Sequence, residues 1–113
     1  MINDTELGYC KFAFEKFKQR GDYDDMGNII YDILKPYIPF NRQLKQEIWE
    51  VAFWSEKADL KKADRIEEYK SLKYEDSIVI IRSKQLALKK FFNMLSEMDI
   101  SIEDYIKQKE EEK

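Results

Sequence analysis

The chain has 113 residues, with 20 basic and 23 acidic side chains and a net charge of −3 at neutral pH. Its single cysteine and lack of histidine exclude an intramolecular disulfide and the common zinc sites. The charge disfavours nucleic-acid binding, because phosphate neutralisation requires a concentrated basic face. The longest apolar run is too short to cross a bilayer, and the acidic N-terminus does not resemble a signal peptide. We therefore expect a cytoplasmic protein in a reducing compartment.

Glycine and proline are confined to the first 39 residues, so the chain from Phe40 to Lys113 contains neither. Sheets need tight turns, for which Gly and Pro provide the backbone angles. A long stretch without them, rich in Glu, Lys, Leu and Ala, is typical of helices joined by short polar corners. We predict an all-α fold, a compact bundle of five or six helices without significant β-sheet. The length predicts one domain over residues 1–106, followed by a charged tail at 107–113 that frays.

The first predicted helix runs from Asp4 to Arg20, with Asp4 or Thr5 as its N-cap and Gly21 as a left-handed stop. Phe12 lies more than a third of a turn away from the apolar stripe of this helix. Cys10 shares that stripe, so we expect a buried, unreactive thiol. The stripe consists of Leu7, Cys10, Phe14 and Phe17, widened by Tyr9 and Ala13.

Acidic residues at Asp22–Asp25 open the second predicted helix, where carboxylates cap free amides. A calcium loop is disfavoured there, because the twelve-residue ligand spacing and its final Glu are missing. Pro36 and Pro39 end this helix and enforce an extended corner. Its predicted buried face, read from helical spacing, consists of Met26, Ile29, Ile30, Ile33 and Tyr37.

Asn41 is the predicted N-cap of the third helix, which carries two apolar stripes. This helix either stops near Ala63 or runs on through Leu72, and Asp64 is a potential cap for a new helix. One stripe contains Leu44, Ile48, Val51, Ala52 and Ser55, and the other Trp49, Phe53 and Leu60.

The remaining sequence predicts two further helices. Asp76 or Ser77 caps the first of them, and Ser101 with Asp104 resembles a capping box that starts the second. The β-branched run at 78–81 is read as helical, because there is no second strand candidate to pair with it. Apolar residues at helical spacing in the longer helix are Ile78, Ile81, Leu88, Phe91, Phe92, Leu95 and Met98.

The residue inventory contains no catalytic, cofactor or metal motif, so we expect a protein that is not an enzyme and needs no cofactor. Seven Tyr, seven Phe and two Trp are more than so small an interior needs, and such residues dominate protein interfaces. The leading hypothesis is a cytoplasmic module that binds another protein. Phage or mobile-element inhibitors of host or defence proteins, and immunity or antitoxin proteins, share this composition.

Trp54 is the first predicted partner-binding residue, because on the helical wheel it lies among Glu47, Glu50 and Lys61. Phe12 is the second. The alternative for Trp54 is that it only widens the buried stripe, through its neighbours Val51 and Ala58. Two other functions are also left open. One is a small DNA-binding regulator that contacts bases through Arg42-Gln43, and the other is a structural or assembly component that forms homo-oligomers.

Overall fold

The computed structural model describes residues 1–21 and 26–112, and 77% of them are helical. No strand occurs in these two ranges, so the predicted all-α class is confirmed. The predicted helix start and the disfavoured calcium loop at Asp22–Asp25 lie outside the described residues. The six helices within them are α1 (Asp4–Arg20), α2 (Gly27–Leu34), α3 (Arg42–Lys62), α4 (Ile66–Ser71), α5 (Ser77–Glu97) and α6 (Ile102–Glu111).

Capping side chains explain where three of the six described helices begin. Asn3, rather than the predicted Asp4 or Thr5, caps α1: its Oδ1 accepts from the Glu6 amide at 2.8 Å, and Glu6 Oε1 accepts from the Asn3 amide at 3.2 Å. Asn3 and Glu6 thus form a reciprocal capping box. The predicted cap was wrong, because the N-cap lies one residue before Asp4 and two before Thr5. Asn41 and Ser101 are confirmed as N-caps, since their side-chain oxygens accept from backbone amides three residues ahead.

Left-handed residues explain where three helices end. Gly21, at φ 70°, stops α1 as predicted, and its amide donates to the Phe17 carbonyl. In the glycine-free part of the chain, Asp64 and Asp99 adopt φ 59° and 52° after α3 and α5. The amide of Arg65 then donates to the Leu60 carbonyl, the bond that closes a Schellman motif. Asp64 therefore ends α3 instead of capping a new helix, and α4 is a separate element.

The chain divides into two compact units, named here the terminal unit (Met1–Pro39 and Ala87–Lys113) and the central unit (Phe40–Leu86). In the terminal unit the Phe92 ring is central: its centroid lies 5.5 Å from that of Phe14, 5.4 Å from Phe17 and 5.9 Å from Phe91. Cys10 is fully buried in the same unit, as predicted.

Polar contacts also hold the terminal unit together. Glu110 Oε1 accepts from the Ile2 amide at 3.2 Å and from the Tyr37 hydroxyl at 2.8 Å. The Tyr105 hydroxyl donates to the Tyr37 carbonyl at 3.1 Å. Burial, followed by the hydrogen bond to Glu110, raises the pKa of Tyr37. Fraying of 107–113 stays a prediction, but Glu110 within that segment is a partly buried hydrogen-bond acceptor.

Several residues predicted to lie on buried faces are exposed in the structure. The buried sides of the helices are narrower than the apolar stripes: α2 buries Ile30 and Leu34, and α3 buries Ile48, Ala52, Glu56 and Leu60. A helix presents only part of its circumference to its neighbours, so apolar residues at the stripe edges remain in water. These exposed residues are Tyr9, Ile29, Val51, Ser55, Ile78, Ile81 and Met98.

Candidate protein-binding surface

The exposed face of α3 is centred on Trp54, in the central unit. Trp54 is 60% exposed, Val51 before it is 57% exposed, and Ala58 after it is also exposed. The alternative that Trp54 widens a buried stripe through these two neighbours is therefore wrong. An α-helix advances about 100° per residue, which places the buried Ala52 and Glu56 on the opposite side of α3.

Ring contacts hold Trp54 in place. Its ring packs edge-on against Phe53, with centroids 5.3 Å apart and an interplanar angle of 72°. Phe53 in turn contacts Tyr74, with centroids 4.3 Å apart. Lys57 Nζ lies 5.0 Å from the Phe53 ring centroid and 4.8 Å from that of Tyr69, within cation–π range. We call Phe53, Trp54, Tyr69 and Tyr74, with Lys57, the aromatic cluster.

Most of the aromatic cluster was not predicted from the sequence pattern. Tyr69 and Tyr74 lie in or beyond the short helix α4, which has no buried residue, so no buried stripe marks them. Lys57 and Phe53 are four residues apart on α3, and that spacing alone predicts contact between their side chains. Tyr74 reaches Phe53 only through the turn that Asp64 makes. A helix end near Ala63 was one of the two predicted alternatives, but the left-handed turn at Asp64 was not predicted.

The predicted charged residues share the face of Trp54. Glu47, Glu50 and Lys61 are exposed and lie within about 40° of Trp54 around the helix axis. Glu47 accepts from Gln43 Nε2 at 3.4 Å, and Glu50 accepts from Gln46 Nε2 at 3.2 Å. The structure thus brings these three residues and Trp54 together on one helix face.

Phe12, the other predicted partner-binding residue, belongs to the terminal unit. It is 57% exposed, and Lys16 Nζ lies 4.7 Å from its ring centroid. The prediction that it points away from the buried side of α1 is confirmed. Its role in binding stays a prediction.

An open groove of about 410 Å³ adjoins the aromatic cluster. Trp49 and Tyr74 supply its apolar rings, and one carboxylate is present among its polar residues. The groove can accept an apolar side chain beside a charged one. Its lining residues are Arg42, Lys45, Gln46, Trp49, Glu50 and Tyr74.

The central unit also contains a buried charge that sequence analysis missed. Glu56 is 7% exposed, and its Oε2 lies 3.1 Å from Arg82 Nε, an ion pair without the geometry of a hydrogen bond. Arg82 Nη2 contacts Asp59 Oδ2 at 3.2 Å. Arg82 thereby compensates Glu56 and links α5 to α3.

Three further properties of the described residues concern the Cys10 thiol, metal-binding clusters and membrane-spanning helices. Burial raises the pKa of the Cys10 thiol to about 12, so its nucleophilic thiolate is suppressed at neutral pH. Within 1–21 and 26–112, no three Cys, Asp or Glu side chains group in a way that would hold a metal ion. Across the same residues, no helix combines the length and apolarity that crossing a bilayer requires.

Comparison with protein-family models, with curated proteins and with solved structures finds no match to this chain.

Proposed function

We propose that this protein is a non-enzymatic module that binds another protein through the exposed face of α3, with Trp54 as its anchor. The observation that carries the proposal is the 60% exposure of the Trp54 indole beside the exposed Val51. A Trp side chain presents a large apolar area to water, and a partner that covers it gains that hydrophobic free energy.

The setting of Trp54 supports an anchor role. Its ring contacts Phe53 and stands on a helix of 21 residues, so little conformational freedom is lost when a partner covers it. Charged residues border it on both sides along α3, which matches the usual interface pattern of an apolar centre and a polar rim. The groove lined by Trp49 and Tyr74 extends the apolar area.

The acidic part of this face disfavours the DNA-binding alternative. Glu47 and Glu50 are exposed on the same side as Trp54, and carboxylates repel phosphate groups. Within protein binding, we propose an inhibitor, immunity or antitoxin type of action, in which the module occupies the surface of its partner. The composition that favours a phage or mobile-element source supports this narrower class.

The test compares Trp54→Ala with Tyr9→Ala, a matched change of an exposed aromatic residue in α1. The partner is first captured by photo-crosslinking from positions on α3, and its affinity is then measured by calorimetry. We expect Trp54→Ala to weaken binding by about 30-fold, the effect of losing a hot-spot anchor, and Tyr9→Ala to leave it unchanged.

Two results would contradict the proposal. One is equal affinity of Trp54→Ala and the unmodified protein for the captured partner. The other is retention on a heparin column that weakens steeply with salt, which would instead indicate nucleic-acid binding.

A further inference from the structure

Charges on the exposed face of α3 are segregated about Trp54. Glu47 and Glu50 precede it by seven and four residues, whereas Lys57 and Lys61 follow it by three and seven. The face is thus acidic on its N-terminal half, aromatic at its centre and basic on its C-terminal half.

Ion pairs within α3 do not account for this segregation. Glu47 and Glu50 are three residues apart and Lys57 and Lys61 four apart, and like charges at these spacings destabilise a helix. The helix dipole acts mainly on the first and last turns, yet the first turn of α3 contains Arg42 and no acidic residue. The dipole therefore explains Lys61, in the last turn, but neither glutamate.

The three charged residues closest to Trp54 around the helix axis also lack ion-pair partners. Among residues 1–21 and 26–112, no oppositely charged group pairs with Glu47, Glu50 or Lys61. Within the described part of the chain, their side-chain hydrogen bonds are the two glutamine contacts at 3.4 and 3.2 Å. The charge pattern is available to a second molecule.

We propose that this face binds α3 of a second copy of the chain, antiparallel, about a two-fold axis at Trp54. The inference rests on the proposed function and assigns a further occupant, the chain itself, to the same surface. Seven residues of helix span about 10 Å on either side of Trp54. An antiparallel pair therefore places Glu47 of each copy opposite Lys61 of the other, twice by symmetry.

Charge complementarity selects this arrangement over the alternatives. A parallel pair would bring Glu47 against Glu47 and Lys61 against Lys61, and such contacts are repulsive. In the antiparallel pair the two Trp54 rings meet at the centre, and Val51 of each copy lies level with the aliphatic part of Lys57. One helix face is smaller than the roughly 800 Å² per partner of a stable interface, so we expect a weak, reversible dimer.

The test uses charge reversal and complementation in analytical ultracentrifugation, over protein concentrations up to about 1 mM, the range of weak self-association. The unmodified chain should approach twice its 13.7 kDa monomer mass as concentration rises. Glu47→Lys and Lys61→Glu should each weaken self-association by about tenfold or more, because each places like charges opposite one another at two sites. An equimolar mixture of these two variants should associate again, since each supplies the charge that the other needs.

Controls separate this geometry from a general effect of charge. Lys89→Glu reverses an exposed charge on α5, in the terminal unit, and it should leave self-association unchanged. Far-UV circular dichroism should show equal helix content in every variant. Trp54→Ala should abolish the dimer.

Three outcomes would overturn the inference: a chain that is monomeric at every concentration, a dimer indifferent to both reversals, or a mixture that does not associate. If the chain is monomeric but Trp54→Ala weakens binding of a different, captured protein, the dimer inference fails and the proposed function stands. If Trp54→Ala preserves every association, both fail.

Discussion

In the terminal unit, Phe14 and Phe17 of α1 pack against Phe92 of α5 in the interior, whereas in the central unit Trp54 of α3 is exposed and the other rings of α3 and α4 are half-buried. Among the described residues, sixteen of the twenty buried apolar residues belong to the terminal unit. The central unit contributes four: Ile48, Ala52, Leu60 and Val79. One composition rich in aromatics thus serves two purposes, core formation in one unit and surface presentation in the other.

The small size of the central unit explains why it leaves large apolar side chains exposed. The central unit spans 47 residues, close to the size below which a hydrophobic core no longer suffices for stability. It exposes six large apolar residues, including Trp54, and buries a glutamate. Apolar area that a larger core would bury is left exposed here, so a partner that covered it would stabilise this unit.

Phe92→Ala should produce the largest effect, because Phe92 is fully buried at the centre of the ring contacts in the terminal unit. We expect a loss of about 3–5 kcal/mol in the free energy of unfolding, from lost transfer and an unfilled cavity. Urea denaturation measures this loss. A loss below about 1 kcal/mol would show that the rings are not close-packed.

Arg82→Met tests the buried charge of the central unit. It leaves Glu56 in the interior without a compensating cation, and we expect a cost of about 1–3 kcal/mol. Pairing it with Glu56→Leu should recover most of that loss, because two apolar side chains can replace an ion pair at little cost. Additive losses in this double-mutant cycle would show that Glu56 and Arg82 do not interact.

Cys10→Ala tests the terminal core through pH. At pH 7 we expect a loss of about 1–2 kcal/mol from the small cavity. Burial raises the pKa of the Cys10 thiol from 9.0 to about 12, so its contribution is complete below pH 9 and declines as the pH rises toward 12. The decline is about 1.4 kcal/mol per pH unit, because only the unfolded chain ionises there.

The measurement for Cys10 is the stability difference between the unmodified chain and Cys10→Ala across pH 8–11. That difference should shrink and then change sign. A constant difference, or rapid labelling of the native thiol, would show that Cys10 is accessible to water.

Trp54→Ala should have the smallest effect on stability, within about 0.5 kcal/mol, because the side chain is mostly in water. Thermal unfolding of the monomer at low concentration measures it. A loss as large as that of Phe92→Ala would mean that the two units do not differ in how they use their rings.

Helix limits were predictable where a single residue carries the signal. Gly21, Asn41 and Ser101 act through their own backbone or side chain, so local chemistry was enough. The predicted alternative that α3 stops near Ala63 is confirmed, but the potential cap at Asp64 is wrong. Asp both caps helices and adopts left-handed angles, and the surrounding chain decides between them.

The candidate surface was predictable only in part. Trp54 and its charged neighbours follow from the helical wheel, because they share one rigid helix. Glu56 was missed because its burial depends on Arg82, 26 residues away, and wheel position alone treats a glutamate as solvated. Tyr74 was missed for the same reason, since its contact with Phe53 is made in space rather than along the sequence.

Helix α5 crosses the boundary between the two units, with residues 77–86 in the central unit and 87–97 in the terminal unit. Amide hydrogens exchange through opening reactions whose free energy follows local packing. Those around Phe91 and Leu95, both buried, should exchange only when the whole chain unfolds. Those near Ile78 and Ile81 should exchange through a smaller opening of the central unit. A single helix would then report two folding units, with amide protection rising in a step near Leu86.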